Sequence, residues 1–169
     1  MWIPRPPLRI LEIGCYEGLS SVFFADHFLQ HPESKMTCVD PFLRLESNDH
    51  KRFLTNNEEL NFDFNVAMCS HPDKIKVCKV TSDAFFKDNT ETFDFIYIDG
   101  CHEPDFIARD MENAFRILES GGVMWMDDYR GGQGQIIYNA MNAFLTKKNG
   151  EYDIIHEGYQ LAIQKKTGI

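Results

Sequence analysis

The sequence has 169 residues and a formal net charge of −9, enough chain for one domain with a substantial core. The acidic balance argues against nucleic-acid binding, because that function relies on Lys and Arg to neutralise phosphates. No apolar run approaches the ~20 residues of a membrane span, and the proline-rich start lacks the apolar core of a signal peptide. The five cysteines include no Cys-x-x-Cys pair, which favours free thiols over disulfides or zinc. We therefore expect a cytoplasmic protein with a single domain over residues 1–169, whole or part of a longer polypeptide.

The first strand and the turn after it have the most informative spacing. Leu8 to Ile13 is an apolar run that predicts a buried strand, and Gly14 and Gly18 then lead into a helical pattern. In nucleotide-binding α/β folds, glycines at this turn let the backbone approach the ligand beside a helix N-terminus. The spacing Gly-x-x-x-Gly lacks the closely spaced first pair of the dinucleotide motif Gly-x-Gly-x-x-Gly. It favours a nucleotide-like ligand without a pyrophosphate, although a purely structural turn has the same pattern.

The next segments alternate between helix and strand. The first helix is predicted over Leu19–Leu29, and Met36–Asp40 is typical of a short second strand that ends in a carboxylate. An acid at this position meets ribose hydroxyls in nucleotide-binding folds, and the alternative is an aspartate that caps a turn or helix. Residues 42–71 exceed a simple crossover, so we expect one helix and an irregular insertion. Lys74–Val80 predicts the third strand, and Thr81–Asp83 then caps a short helix.

Strands four and five both end in acids. Phe93–Asp99 is a mostly apolar run typical of a central parallel strand. A fourth helix is predicted to begin near Pro104 and to end at Ser120–Gly122. The fifth strand, Val123–Met126, is followed directly by Asp127-Asp128.

The C-terminal part of the sequence departs from the alternation of strands and helices. A flexible loop is predicted over Gly131–Gly134, and a fifth helix over Ile136–Leu145. Tyr152–His156 and Tyr159–Lys165 are then joined by Glu157-Gly158, which signals a hairpin. We therefore predict an α/β fold, a Rossmann-like, doubly wound, mostly parallel seven-stranded sheet with helices on both faces and a C-terminal antiparallel hairpin.

Several motifs in this order resemble the class I S-adenosylmethionine-dependent methyltransferases. They are Glu12-x-Gly14-x-x-x-Gly18 at the first turn, Ile98-Asp99-Gly100-x-His102 after strand four, Gly121-Gly122 before strand five, and Asp127-Asp128-Tyr129 after it. The set is most similar to the subgroup that contains catechol and sugar O-methyltransferases. The resemblance spans the whole chain and implies methyl transfer from S-adenosylmethionine, with S-adenosylhomocysteine as the product.

The same resemblance implies a cofactor site. The first turn and its acid would hold the methionine end, and one of two serines would reach its carboxylate. The acid after strand two would meet the ribose, and the polar pair after strand three would meet the adenine. Simple helix capping is the alternative for each serine. The implied cofactor-binding residues are Glu12, Gly14, Tyr16, Gly18, Ser20, Ser21, Asp40, Ser82, Asp83 and Asp99.

The acids after strands four and five also suggest a metal site. Asp99, Asp127 and Asp128 are expected side by side, where their charges repel unless a cation lies between them. Magnesium prefers oxygen ligands and keeps several waters, which leaves positions for paired hydroxyls of a substrate. The resemblance to catechol O-methyltransferases therefore implies Mg²⁺ or Mn²⁺ here. In the metal-free alternative, Asp99 orients the methionine amine and Asp127 caps a turn.

His102 lies three residues after Asp99, where catechol-type enzymes have a catalytic lysine. Imidazole titrates near physiological pH and can take a hydroxyl proton as the methyl group arrives. We predict His102 and Asp99 as the catalytic residues. Metal ligation or strand-tip capping are the alternatives for the histidine.

The leading interpretation is a metal-assisted O-methyltransferase for a small acceptor with vicinal hydroxyls, a sugar slightly preferred over a catechol-like ring. Because the first strand begins so early, we expect no lid before it, and we expect a site that is open or is covered by a second copy or neighbouring domain. A non-catalytic methyltransferase-like module is the main alternative. An NAD-dependent oxidoreductase or epimerase is disfavoured, because a third glycine and a Tyr-x-x-x-Lys pair are missing.

Overall fold

The computed structural model follows the predicted alternation of strands and helices. It describes residues 5–43, 57–131 and 135–168. Its strands are β1 (Arg9–Ile13), β2 (Lys35–Val39), β3 (Ile75–Cys78), β4 (Phe93–Ile98), β5 (Leu118–Met126), β6 (Tyr152–Glu157) and β7 (Leu161–Lys165). Its helices are α1 (Leu19–Phe28), α2 (Glu58–Met68), α3 (Ser82–Asp88), α4 (Pro104–Ile117) and α5 (Gln135–Lys147), with a 3-10 turn at Pro72–Lys74.

These strands form a seven-stranded sheet in the order β3-β2-β1-β4-β5-β7-β6. The first five strands of the chain pair in parallel, whereas β7 runs antiparallel to both β5 and β6. The chain builds outward from β1 to β3 and then returns to place β4 on the other side of β1. Open α/β sheets bind ligands at such a reversal, beyond the carboxyl ends of the strands. The predicted fold class is confirmed.

Two apolar cores lie on opposite faces of the sheet, because side chains alternate along each strand. Helices α3, α4 and α5 cover one face, where Met111 and Phe144 are buried. Helices α1 and α2 cover the other face, where Phe24 and Phe62 are buried. Ile10 and the adjacent Leu11 belong to different cores. Burial on both faces therefore explains why β1 reads as a continuous apolar run.

The start of β5 differs from the prediction. The residues predicted to end the fourth helix, Ser120–Gly122, lie inside β5, because α4 ends at Ile117 and the strand begins at Leu118. The register between β4 and β5 shifts near the start of both strands. Gly121 has a φ of +80°, a left-handed conformation that favours glycine. These glycines thus accommodate an irregular strand rather than a helix end.

Smaller differences affect β3 and the hairpin. β3 is shorter than predicted, because Lys74 belongs to the 3-10 turn and Val80 lies beyond the strand end. The hairpin turn spans residues 158–160 rather than the predicted Glu157-Gly158, because β6 extends to Glu157 and β7 begins only at Leu161.

Two predicted irregular segments fall partly outside the described ranges. Of the insertion predicted over residues 42–71, residues 44–56 are not described, and α2 provides its helix. The loop predicted over Gly131–Gly134 is described only at Gly131. In the described part of the chain, no helix has both the length and the apolar character needed to cross a membrane.

Candidate active site

The carboxyl ends of the central strands are aligned at one edge of the sheet. Gly14, Asp99 and Asp127, which follow β1, β4 and β5, each donate their N–H to the last carbonyl of the neighbouring strand, over 2.9, 2.8 and 3.0 Å. Asp40 continues the pattern beyond β2, where its N–H donates to the carbonyl of Cys78 at 3.2 Å. The hydrogen-bond ladder therefore brings the predicted acids side by side.

Gly14 is required by the packing of two protein loops, and it also lines both cavities described below. It has a φ of +83°, and a Cβ built on it would lie 2.1 Å from the backbone oxygen of Asp99. Gly18, with a φ of +85°, begins α1, and its Cβ would lie 3.0 Å from the ring of Phe62. Tyr16 lies between the two glycines and is half exposed beside both site cavities described below.

Glu12 is completely buried under the glycine turn. Its carboxylate accepts hydrogen bonds from the hydroxyls of Ser20 and Ser21, and the Cys38 thiol lies 3.5 Å away. Burial raises the pKa of Glu12, and the serine hydroxyls act in the opposite direction. Ser21 is fully buried, so the prediction that it reaches the cofactor is not supported. Ser20 is partly exposed, and it lines a cavity.

Asp40 orders the glycine turn. One carboxylate oxygen accepts the N–H groups of Cys15 and Tyr16 at 2.8 and 3.0 Å, and the other accepts the N–H of Phe42 at 2.7 Å. This is the turn-capping role that the sequence left open. A carboxylate has about four lone-pair positions, so one position remains for a ribose hydroxyl. Asp40 also lines the first of two cavities.

The first cavity, of about 360 Å³, lies between the glycine turn, the loop after β2 and α4. Ser82 lines it, whereas Asp83 is not among its lining residues. The Asp83 carboxylate instead accepts two hydrogen bonds from the Arg109 guanidinium at 3.1 and 3.2 Å. Asp110 of α4 lines the cavity and is only 3% exposed. Burial raises the pKa of Asp110 to about 6.

Asp99, His102 and Asp128 form a cluster at the sheet edge, with potential ligand atoms within 4.8 Å of one another. The Nε2 atom of His102 lies 3.1 Å from one carboxylate oxygen of Asp128. The Tyr159 hydroxyl donates to the other oxygen of Asp128. Burial, followed by the charges of Asp127 and Asp128, raises the pKa of Asp99 to about 8. A proton or a bound cation would relieve this repulsion between neighbouring carboxylates.

Asp127 is engaged by the hairpin instead. Its carboxylate accepts a hydrogen bond from the side-chain amide of Gln160 at 2.8 Å. The same amide nitrogen lies 3.3 Å from the Tyr97 hydroxyl, and the Trp125 indole donates to the Gln160 oxygen at 2.7 Å. The three side chains that lie within reach of one ion therefore differ from the predicted set of Asp99, Asp127 and Asp128. Among the described residues, His102 and not Asp127 completes the group with the two other acids.

A second cavity, of about 810 Å³, lies on the α1 face of the sheet. It shares Gly14, Tyr16 and Asp99 with the first cavity, so the two adjoin at the strand tips. Ser20, Asp127 and Gln160 provide polar groups. The remaining wall is apolar and consists largely of Leu19, Phe23, Phe24, Phe28, Phe95 and Trp125.

The sequence analysis missed three contributors to this region. Tyr159 and Gln160 lie in the hairpin turn, and alternation along a hairpin does not say which strand it joins. Asp110 did carry a signal, because it is a single acid on the otherwise apolar face of α4 marked by Ile107 and Met111. An acidic side chain on a buried helix face is almost always paired with another group.

The comparisons with known proteins agree with this geometry. Residues 11–129, more than half of the chain, match the family model of the methyltransferase domain. No curated protein sequence matches the chain.

Similar solved structures share the fold at low sequence identity. The O-methyltransferase TomG from Streptomyces achromogenes, involved in tomaymycin synthesis and in complex with SAM, is 14% identical, with 95% of this chain and 73% of TomG covered and a TM-score of 0.68. An O-methyltransferase from Bacillus cereus in complex with SAH is 16% identical, with coverages of 93% and 74% and a TM-score of 0.65. A protein from Clostridium thermocellum described as an rRNA methylase is 14% identical, with coverages of 95% and 87% and a TM-score of 0.72.

The matched region contains the glycine turn, the acid after β2 and the acids after β4 and β5. The neighbours have the same strand-and-helix architecture over nearly the whole chain. The chain therefore belongs to the methyltransferase-domain family, and it is a class I S-adenosylmethionine-dependent methyltransferase.

Proposed function

We propose that this methyltransferase acts on a hydroxyl group of a small acceptor with vicinal hydroxyls, with help from a divalent cation. The observation that carries the proposal is the cluster of Asp99, His102 and Asp128, in which Asp99 lines both cavities. Methyl transfer from a sulfonium is an in-line displacement, so alignment of donor and acceptor is the main requirement. A fixed cluster at the junction of two cavities suits that requirement.

The two cavities support a placement for each end of the S-adenosylmethionine molecule. The first cavity suits the adenosine end, because it has apolar walls and Asp40 on its border. The methionine end would lie where the cavities adjoin, at Gly14 and Asp99. Glu12 would act indirectly, since its carboxylate holds Ser20 and the start of α1.

The residues of the cluster fit a divalent cation. They offer two carboxylates and one imidazole, all partly exposed, and this mixed set suits Mn²⁺ better than Mg²⁺, which prefers oxygen alone. A bound cation would polarise an acceptor hydroxyl and lower its pKa. The Tyr159 hydroxyl would hold Asp128 in position, and Gln160 would hold Asp127 beside Asp99.

His102 has two possible roles that follow from one position. As a ligand, its imidazole would complete the set with Asp99 and Asp128. As the predicted general base, its Nδ1 would take the proton of the acceptor hydroxyl, because Asp128 would orient the ring through Nε2, 3.1 Å away. A metal requirement for turnover separates the two roles.

The acceptor class remains a sugar or a catechol-like ring. The aromatic wall of the second cavity, which includes Phe24 and Trp125, offers flat apolar faces for a ring of either kind. Leu19 is 87% exposed beside this cavity, which supports the expectation that a second copy or neighbouring domain covers it.

The test is formation of S-adenosylhomocysteine with a panel of catechols and sugars, measured in excess chelator and after addition of Mn²⁺ or Mg²⁺. We expect turnover to disappear in chelator and to return with Mn²⁺. His102→Ala should lower turnover by roughly 10²-fold or more, whereas His31→Ala, at a half-buried position after α1 that lines neither cavity, should not. Full turnover in chelator would contradict the metal proposal and leave His102 as the base.

A further inference from the structure

Asp110 is a buried acid that the proposed reaction does not use. It lies on the inward face of α4 and is 3% exposed, among apolar residues such as Ile107 and Met111. Within the described residues, its Oδ1 atom has no hydrogen-bond partner. Charged side chains are almost never fully buried without a partner. The missing partner is therefore informative.

The surroundings of Asp110 leave the cavity as the place for a donor. Oδ2 lies against the loop after β4, where a Cβ on Gly100 would be 3.4 Å from it. The Ser82 hydroxyl is close enough to lower the pKa of the carboxyl group by hydrogen bonding, although burial outweighs it. Asp110 itself lines the first cavity, whose nearby walls include Ile13 and Phe106.

The other acids around the adenosine end already have partners. Asp40 accepts three backbone N–H groups. Asp83, which the sequence assigned to the adenine, is paired with Arg109 at 3.1 Å, and both side chains are 45% exposed. Asp110 thus combines burial, an unpaired oxygen and a position in the cavity wall.

We propose that Asp110 accepts a hydrogen bond from the exocyclic amino group of the cofactor's adenine and makes the cavity select a 6-aminopurine over a 6-oxopurine. The inference rests on the proposed placement of S-adenosylmethionine in this cavity. An amino group supplies the donor that the buried oxygen lacks. A 6-oxopurine presents an oxygen in the same place, so two acceptors face each other without a proton between them.

The test compares two ligands by calorimetry, S-adenosylhomocysteine and its hypoxanthine counterpart, S-inosylhomocysteine. At about pH 8 a carboxyl group with a pKa of about 6 is ionised. The wild-type protein should then bind the adenine compound more tightly by roughly 10²-fold or more, because a site built for a donor rejects its absence strongly. Asp110→Asn should reduce this ratio of the two affinities below about 10-fold, since a side-chain amide can either accept or donate a hydrogen bond. Asp83→Asn is the matched control and should keep the wild-type ratio.

The role of Asp110 would be overturned if Asp110→Asn kept the wild-type ratio of affinities, or if Asp83→Asn lost the preference for the adenine compound. Failure of S-adenosylhomocysteine to bind the wild-type protein would overturn the cofactor placement, and this inference with it. Binding with no turnover on any acceptor would count against the proposed reaction alone, because the base preference would still be measured.

A measurement on the wild-type protein covers the case in which the Asp110 variant does not fold. The adenine amino group is labelled with ¹⁵N, and its proton exchange with water is followed by NMR in the complex. The assignment predicts much slower exchange than in free S-adenosylhomocysteine. Equal exchange rates in the free and bound ligand would refute it.

Discussion

Gly14 couples two loops of the active site at the scale of a single residue. Its missing side chain allows the turn after β1 to touch the backbone of Asp99 after β4, where a Cβ would be 2.1 Å from the carbonyl oxygen. One residue thus fixes the distance between the cofactor turn and the acidic cluster. A side chain here must move one loop away from the other.

We predict that Gly14→Ala destabilises the protein far more than Gly150→Ala. Both glycines have positive φ, +83° and +92°, but a Cβ on Gly150 would meet nothing within 4 Å. Gly150→Ala should therefore cost only the backbone strain, about 1–2 kcal/mol. Gly14→Ala should add a steric cost. Its loss of unfolding free energy, measured with urea, should therefore be several-fold larger than that of Gly150→Ala. Equal losses would show that the two loops separate easily.

Asp110 should make stability depend on pH. Burial raises the pKa of Asp110 from 3.8 to about 6. Between these values the folded protein keeps a proton that the unfolded chain releases, so the free energy of unfolding falls as pH rises through this window. Across this window the free energy of unfolding falls by roughly 3 kcal/mol, and Asp110 causes little further change at higher pH. Asp110→Asn should lack this decline in urea unfolding between pH 4 and 7, whereas parallel profiles would contradict it.

At the scale of elements, the C-terminal hairpin completes the site. Its turn carries Tyr159, which donates to Asp128, and Gln160, which donates to Asp127. Groups that hold a metal-ligating side chain commonly influence metal affinity, although they do not touch the metal. The hairpin is therefore part of the active site as well as of the sheet.

Tyr159→Phe should weaken Mn²⁺ binding by roughly 10-fold, the lower end of the range for lost supporting hydrogen bonds. The change removes only the hydroxyl that holds Asp128. Tyr152→Phe is the control, because that hydroxyl donates to the Leu145 carbonyl at 3.0 Å, away from the cluster. Titration of Mn²⁺ by electron paramagnetic resonance measures both variants. Equal affinity in Tyr159→Phe and wild type would exclude this supporting role.

The strand tips were predictable from the sequence because two simple rules combine there. Apolar runs identify buried parallel strands, and parallel strands end at a common edge. Asp40, Asp99 and Asp127 therefore lie where they were expected. The direction of each side chain was not predictable, since Asp127 is held by Gln160 from a hairpin whose neighbours in the sheet the pattern does not specify.

The contacts of the glycine turn were also not predictable from the sequence. Spacing identified Gly14 and Gly18 but not the protein atoms that require them, because close backbone approach depends on tertiary packing. Similarly, Ser21 fits a helix start in sequence, yet its hydroxyl is buried against Glu12. Residue type and position were readable, whereas the contact partner was not.

At the scale of the whole molecule, the hairpin contributes unequally to the cores. In β7, Ile163 is completely buried, whereas its partner Ile154 in the edge strand β6 is 48% exposed. The inner strand thus supports the sheet, and the outer strand covers its margin.

Ile163→Ala should therefore destabilise the protein by about 2–5 kcal/mol, the usual cost of truncating a large buried side chain. Ile154→Ala removes the same atoms from a half-exposed position and should cost about 1 kcal/mol or less. Urea unfolding of both variants checks the difference. Similar losses would mean that β6 is as important to the core as β7.

The inner position of β7 also has a consequence for synthesis of the chain. β5 pairs with β7 along one edge, but 34 residues, 127–160, separate the end of β5 from the start of β7. At about 5–20 residues per second, the ribosome needs roughly 2–7 s to make them. From its emergence until β7 follows it, the apolar segment Val123–Met126 has unpaired backbone groups on one side, the kind of edge that pairs with other chains. Closure of the sheet on the nascent polypeptide thus competes with aggregation until the last strand emerges.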